Sequence, residues 1–289
     1  MEPTSNDTIH LEQAQILDRQ SYPADQFVLR LQAPLCANKA QPGSFVHVQC
    51  DPELPMRRPF SIMRSSVKQG WIEILFKVVG RGTRLLSLRR PGDYLSMLGP
   101  IGKPFQPEPQ RPRGLLLGGG IGIPPMMFLA ERMHQTDGFQ ALVLMGSEIP
   151  FPFKARPSQI LIKGIPAGVV GAMPLLEDLG IASRLASLQD YSGCYQGYVT
   201  ELAEHWIQDQ GQENWRSIEI FACGPRAMLR ATAKLARKYN LACQVALEEY
   251  MACAVGGCAG CVVRVKTDHG PAMKRVCVDG PVFRAAEIY

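Results

Sequence analysis

Residues 114–135 read GLLLGGGIGIPPMMFLAERMHQ. An apolar run enters a glycine-rich turn and leaves it through Pro124-Pro125 into a helix-like stretch, which reads as a buried strand, a tight turn and a helix. Glycines in such a turn let the backbone approach a phosphate, and the helix N-terminus faces it, so the geometry suits a dinucleotide. The Rossmann fingerprint itself is absent: after Gly118 and Gly120, Ile123 stands where a third glycine belongs, and Gly122 comes one place early. On these residues alone, Gly118, Gly119, Gly120 and Gly122 are either a nucleotide cradle or a plain strand-to-helix turn.

The same rhythm continues downstream. ALVLMGS at 141–147 reads as a second strand, and IEIFACG at 218–224 runs into a helix from Pro225 to Tyr239. Alternating strands and helices predict a parallel α/β layer. Within it, Cys223-Gly224-Pro225 repeats the strand-turn-helix logic of the first stretch. Residues 151–195 are the least legible part, although ILIKGI at 160–165 and YVTELAEHWI at 198–207 are candidates for further elements.

Upstream the pattern differs. Short β-like runs at 27–31, 44–50, 71–79 and 94–98, punctuated by Pro-Gly at 42–43 and 91–92, predict a small antiparallel barrel. QPEPQRPR at 106–113 has three prolines and no apolar residue and reads as a linker. The expected organisation is therefore multidomain β and α/β: a barrel over 1–108, an α/β nucleotide domain over 109–243 and a small cysteine-bearing unit over 244–289. A length of 289 residues with 46% hydrophobic content is enough for two or three such cores.

Composition excludes several classes. A net charge of +5 from 31 basic and 26 acidic residues, scattered except for pairs such as Arg57-Arg58, does not describe a nucleic-acid binder. The polar start MEPTSNDTIHLEQAQ lacks the apolar core of a secretory signal, which points to the cytoplasm. The longest uncharged stretch, 114–130, is short for a bilayer span and rich in glycine and proline. Nine unevenly spaced cysteines fit no secreted disulfide framework, and Cys36, Cys50, Cys194, Cys223 and Cys243, each isolated, read by default as small buried residues.

The other four cysteines are different. Cys253, Cys258, Cys261 and Cys277 follow the spacing C-x4-C-x2-C, fifteen residues, C, which is that of a plant-type [2Fe-2S] ligand set. Gly256, Gly257 and Gly260 lie between them and allow the backbone to curl while leaving amides free to donate to sulfur. A structural zinc site is the rival, but zinc ribbons favour two CxxC knuckles and this loop has one.

Two elements of the barrel suggest phosphate chemistry. In Arg57-Arg58-Pro59-Phe60-Ser61-Ile62, an arginine and a serine three apart on an extended segment can hold a phosphate by charge and hydroxyl. A solvated arginine turn is the alternative. Phe76 to Thr83, FKVVGRGT, ends a strand in glycines before a helix expected over 84–88, where amides can receive a pyrophosphate.

Together these elements resemble the ferredoxin reductase superfamily, in which an RxxS-bearing barrel holds flavin, a GGGxGxxP turn receives NAD(P) and a CGP turn lies near the nicotinamide. More narrowly, EEYMACAVGGCAGC at 248–261 and RVCVDGPVF at 275–283 resemble the electron-transfer subunits of class 1B dihydroorotate dehydrogenases. The resemblance implies FAD contacts at Arg58, Pro59, Phe60, Ser61, Leu75, Phe76, Lys77, Gly82 and Thr83, NAD(P) at the two glycine turns, and cluster ligation by the four cysteines. It implies a partner, an FMN-containing catalytic dehydrogenase subunit, with no orotate-binding residues in this chain. Between Met145 and Gly197 the family often shows an acidic loop and a D-G-S-x-G turn, whereas this chain has GSEIPFPFKARPSQ and QDYSGCYQG. Either the nucleotide is held differently there, or this member serves another redox partner.

Nicotinamide moves two electrons and an iron-sulfur cluster one, so a protein with both needs flavin as converter. Cys223 is the one residue expected at the hydride path, against the plain reading of a small residue before Gly-Pro. Glu148 would repel a 2'-phosphate, which leans toward NAD. His10, His47, His134, His205 and His269 show no paired ligand spacing and read as structural or solvated. Three functions follow: the electron-transfer subunit; a related NAD(P)H-dependent flavin and iron-sulfur reductase for another partner, such as a hydrogenase or sulfide-linked enzyme; and a non-enzymatic zinc or redox-sensing module.

Overall fold

The computed structural model describes residues 9–289; the first eight residues of the polar start lie outside the described residues. In chain order the elements are β1 (His10–Tyr22), β2 (Gln26–Gln32), α1 (Pro34–Lys39), β3 (Phe45–Val48), β4 (Arg58–Ser66), β5 (Trp71–Lys77), α2 (Arg81–Ser87) and β6 (Tyr94–Ile101). There follow β7 (Arg113–Gly119), α3 (Ile123–His134), β8 (Gln140–Gly146), β9 (Arg156–Pro157), β10 (Gly171–Ala172), α4 (Pro174–Asp178), β11 (Ala182–Ser187), β12 (Tyr195–Gln196), α5 (Val199–Asp209), β13 (Ile218–Cys223), α6 (Arg226–Lys238) and β14 (Ala242–Ala246). The chain closes with β15 (Val262–Thr267), β16 (Gly270–Arg275), α7 (Val276–Asp279), β17 (Val282–Arg284) and α8 (Ala285–Ile288). No helix among the described residues is long and apolar enough to cross a membrane.

The first six strands close into the expected barrel, in the order β1-β2-β5-β4-β3-β6. One strand, β1, escapes the sequence reading, and β4 runs on from the extended RPFS segment to Ser66. In β1 the buried positions are Glu12, Ala14 and Ile16, so two of the three inward positions carry only a charge and a methyl group. Glu12 is buried because its carboxylate accepts hydrogen bonds from the Leu35 and Cys36 amides at 3.0 and 2.7 Å, holding the start of α1. In β4, RPFSIMRSS carries two arginines and a proline, yet Pro59 pairs with His47 of β3. The helix expected over 84–88 begins earlier, at Arg81.

The second sheet has the order β12-β11-β8-β7-β13-β14-β17, and its ladder from β12 to β14 is parallel throughout. Leu115, Leu116 and Leu117 at its centre are fully buried, as are Ile220 and Phe221 on the adjoining strand, the continuous apolar signature of a strand covered on both faces. The chain leaves β7 on one side toward β8 and returns on the other as β13. That reversal makes a switch point, and the crevice beyond the carboxyl ends of β7 and β13 is where such sheets bind ligands.

The linker is tied down, not loose. Phe105 is buried edge-on against Phe221 at 5.8 Å, and Gln106 and Gln244 exchange hydrogen bonds. ILIKGI forms no regular element; Leu161 within it is almost fully exposed. YVTELAEHWI does form a helix, α5. The chain divides into two compact units, residues up to Pro104 with Leu247–Val282, and Phe105–Ala246 with Phe283–Tyr289. Where the sequence predicts a separate cysteine unit from residue 244, residues 247–282 thus group with the barrel. Backbone pairing explains it: the Lys103 amide donates to the Gly280 carbonyl at 2.5 Å, and Lys103 forms a parallel bridge with Pro281.

Candidate functional site

The cysteine loop spans residues 253–261 without regular secondary structure. It is wound tightly: Ala254, Gly256 and Ala259 all take positive φ, at 58°, 83° and 53°, a conformation that costs alanine of order 1 kcal/mol. Hydrogen bonds link the four cysteines two by two. The Cys258 amide donates to the Cys253 sulfur at 3.4 Å, and the Cys261 thiol donates to the Cys277 sulfur at 3.4 Å. Gly260 N–H also donates to the Cys258 sulfur. Burial pushes the Cys253 thiol up, but hydrogen bonds from the backbone of Cys258 and Val255 outweigh it and bring it down to about 7. Cys277 is pushed up to about 12 by burial and by Cys261 beside it.

One thiol–thiol contact and amides already on the sulfurs of Cys253 and Cys258 fit a [2Fe-2S] cluster. Zinc would draw all four sulfurs onto one ion. Arg275 steadies the loop, donating to the Gly256 carbonyl at 3.1 Å.

In the barrel, the two phosphate elements come together. A β-carbon added at Gly82 would lie 3.5 Å from Arg58 Nε, so the guanidinium stem lies along the glycine turn. Arg57 turns away instead and donates to the carbonyl and hydroxyl of Ser96 on β6. The pair is thus divided: Arg57 braces the barrel, whereas the exposed Arg58 donates to the Met56 and Arg57 carbonyls and lies beside the glycine turn. Phe60 and Phe76 meet at 5.7 Å, joining β4 to β5, and both are buried, as is Leu75. Thr83 has its hydroxyl engaged by the turn, accepting from the Val79 and Gly80 amides and donating to the Gly80 carbonyl. It shapes the turn, and Gly80 beside it has open space where a β-carbon would be. Arg58, Gly82, the partly exposed Ser61 and Pro59, and Lys77 at the strand end form a surface that fits a dinucleotide flavin.

The second unit joins the two glycine turns. Strand register sets Cys223 opposite Gly118. A β-carbon on Gly122 would stand 2.3 Å from the Cys223 carbonyl oxygen, so only glycine lets the turn close on β13. Gly120 has φ 54° with nothing within 4 Å of a β-carbon position, leaving the turn open in front of α3, whose first turn has no side-chain cap. Gly119 packs against Pro225 and Met228, and Gly224 against Gly119. An anionic group fits there. Cys223 itself is buried, with 1% exposure.

The segment 147–197 is ordered by buried polar groups. Arg184, 4% exposed, donates to the carbonyls of Val169, Ser183 and Ile160. Glu177 accepts from Ser158 and the Gln159 amide. Glu148 is exposed just beyond β8, at the ligand edge of the sheet.

One histidine that the sequence reads as structural or solvated is structural, with a feature the sequence does not show. His47 is fully buried, and neither ring nitrogen has a partner at hydrogen-bond geometry, an arrangement that costs about 1–3 kcal/mol unless something answers it. Burial, and then the Arg57 charge, hold its pKa down at about 4. Nothing in FVHV foretells what covers it.

Comparison with known proteins agrees with this geometry. The family described as the iron-sulfur cluster binding domain of dihydroorotate dehydrogenase B matches residues 248–289. The dihydroorotate dehydrogenase B (NAD(+)) electron transfer subunit of Bacillus caldolyticus is 35% identical over 271 residues, covering 91% of this chain and 92% of that protein. The chain belongs to this electron transfer subunit family. The counterpart from Caldanaerobacter subterraneus subsp. tengcongensis is 32% identical over 251 residues, 86% of this chain and 87% of the relative. In fold, the family member resembles an NADH-dependent reduced ferredoxin-NADP oxidoreductase over its whole length, with TM-score 0.76, 24% identity and 91% of that chain covered. It also resembles the ferredoxin reductase of carbazole 1,9a-dioxygenase, with TM-score 0.63, 20% identity, and 81% and 67% coverage.

Proposed function

We propose that this chain carries electrons between a dihydroorotate dehydrogenase catalytic subunit and NAD+, through a [2Fe-2S] cluster and FAD. The observation that carries the proposal is the pairing of Cys253 with Cys258 and of Cys261 with Cys277 in one compact unit with the Arg58 and Gly82 surface. FAD, when bound, supplies the exchange between a two-electron hydride and the single electrons that the cluster carries.

The chain's own residues bind and orient. Arg58 offers the charge for the flavin pyrophosphate, beside the Gly80–Gly82 turn that Thr83 holds in shape. The Gly118–Gly122 turn and Gly224-Pro225 receive the nicotinamide dinucleotide, with Gly120 leaving room for phosphate and the N-terminus of α3 favouring its charge. Glu148 supports NAD over NADP, since its carboxylate would repel a 2'-phosphate. Cys223 shapes the crevice through its carbonyl packing against Gly122; its buried thiol leaves a role in the hydride path to be tested by Cys223→Ala. No side chain is needed as general acid or base. That all nine cysteines are free of disulfides supports a cytoplasmic setting.

The test is reconstitution. The purified chain should show flavin and [2Fe-2S] absorption and, mixed with an FMN-containing class 1B catalytic subunit, should support dihydroorotate-dependent NAD+ reduction. The Arg184-centred segment favours one second reading, a reductase of the same cofactor set serving another partner. Failure with every orotate-type dehydrogenase, in a protein that still holds both groups and reacts with NADH, would select it.

A further inference from the structure

Helix α2 ends at Ser87, and the last carbonyls of a helix have no partner within it. The Ser87 carbonyl is answered from a distant strand: Arg19 of β1 donates to it twice, from Nε at 3.1 Å and from Nη2 at 2.8 Å. The guanidinium is itself seated, its carbon 4.7 Å from the centre of the Phe27 ring. Phe27 of β2 stacks on Phe76 of β5 at 5.4 Å and 21°, and Phe76 meets Phe60 of β4 at 5.7 Å. All three rings are buried. Arg19 therefore rests on an aromatic row that ends in β4, two residues after Arg58.

The other end of α2 is the glycine turn. Thr83 accepts from the Val79 and Gly80 amides, and the β-carbon position of Gly82 lies 3.5 Å from Arg58 Nε. With seven residues, α2 is only about 10 Å long at the usual helical rise. So short a helix moves as one piece, and a displacement at Ser87 reaches Gly82. Two routes thus run from Arg19 to Arg58, one through the helix and one through the ring row. A guanidinium can lie on a ring by its face while donating from its edge, and here both are engaged, which fixes a position as well as capping a helix.

We propose that Arg19 is a positioning residue for the flavin. By holding the C-terminal end of α2 against β1 and β2, it sets where the Gly80–Gly82 turn stands relative to Arg58, and so the grip on the pyrophosphate. The inference rests on the flavin reading above, and the action of Arg19 passes through α2. A residue that only stabilised the barrel would, when lost, weaken every flavin alike. One that sets the turn acts on the phosphate-bearing part alone.

The experiment uses the full-length protein, its cluster content checked by absorption, stripped of flavin and titrated with FAD and with riboflavin, which has the ring system and no phosphate. In Arg19→Ala the Kd for FAD should rise about tenfold, the scale of one lost charged contact, while the Kd for riboflavin stays within about twofold and the cluster is retained. An unchanged FAD affinity, or an equal loss for FAD and riboflavin, would overturn the inference. If Arg19→Ala does not fold, Arg19→Lys decides, since it keeps the charge without the planar fork: FAD weakened with riboflavin spared supports the tie, and any other outcome, misfolding included, overturns it. A parent protein that binds neither flavin would instead sink the flavin assignment. One that binds riboflavin as tightly as FAD would sink the placing of the pyrophosphate at this turn.

Discussion

The nucleotide crevice and the cysteine loop both depend on glycine, but they are held in opposite ways. In the crevice, packing fixes the turn: Gly122 closes to where a β-carbon would strike the Cys223 carbonyl, and strand register locks Gly118 opposite Cys223. In the loop, three positive-φ residues and sulfur-directed amides arrange four thiols, and Cys258 is exposed. A site built by packing keeps its shape without ligand, whereas a loop wound around four thiols depends on what they bind. The crevice should therefore fail by loss of fold, and the loop by loss of metal.

The sharpest break in this comparison is Cys258→Ser. It should abolish the cluster, read as loss of iron-sulfur absorption and EPR signal, while flavin stays bound, because Cys258 is exposed and lies outside the Arg58 and Gly82 surface. The reverse case is Gly122→Ala, which should leave flavin and cluster in place but cost about 1–3 kcal/mol of stability through overpacking, together with NADH binding. Thermal unfolding and an NADH titration check it. Arg58→Ala removes one charged contact, so flavin affinity should fall by about ten- to a hundredfold, the equivalent of 1.5–3 kcal/mol, with the cluster retained. Smallest is Gly120→Ala. With open space around it, only the backbone conformation is strained, by about 1–2 kcal/mol; it should raise the KM for NADH more than it lowers the melting temperature.

Legibility follows the same division. The strand-turn-helix around Gly118, the RPFS element and the cysteine spacing are local patterns, and each stands where its sequence places it. β1 was hidden because its inward positions include Glu12, whose burial depends on amides more than twenty residues away. The segment 147–197 is illegible for a similar reason: Arg184 satisfies carbonyls from Ile160 and Val169, contacts with no periodicity to betray them. The grouping of residues 247–282 with the barrel rests on Lys103 meeting Gly280. What sequence conveys well is chemistry carried by neighbours in the chain; what it hides is polar burial arranged from a distance.

The account's central claim is that one chain joins a nicotinamide-reducible flavin to a [2Fe-2S] cluster. Anaerobic titration of the purified protein with NADH, followed together by absorbance and EPR, tests it most directly. The account predicts that flavin absorbance bleaches and that a [2Fe-2S] signal grows in step with it, with flavin and cluster present in equal amounts. A colourless protein holding zinc, or a flavin that bleaches while no cluster signal appears, would contradict it.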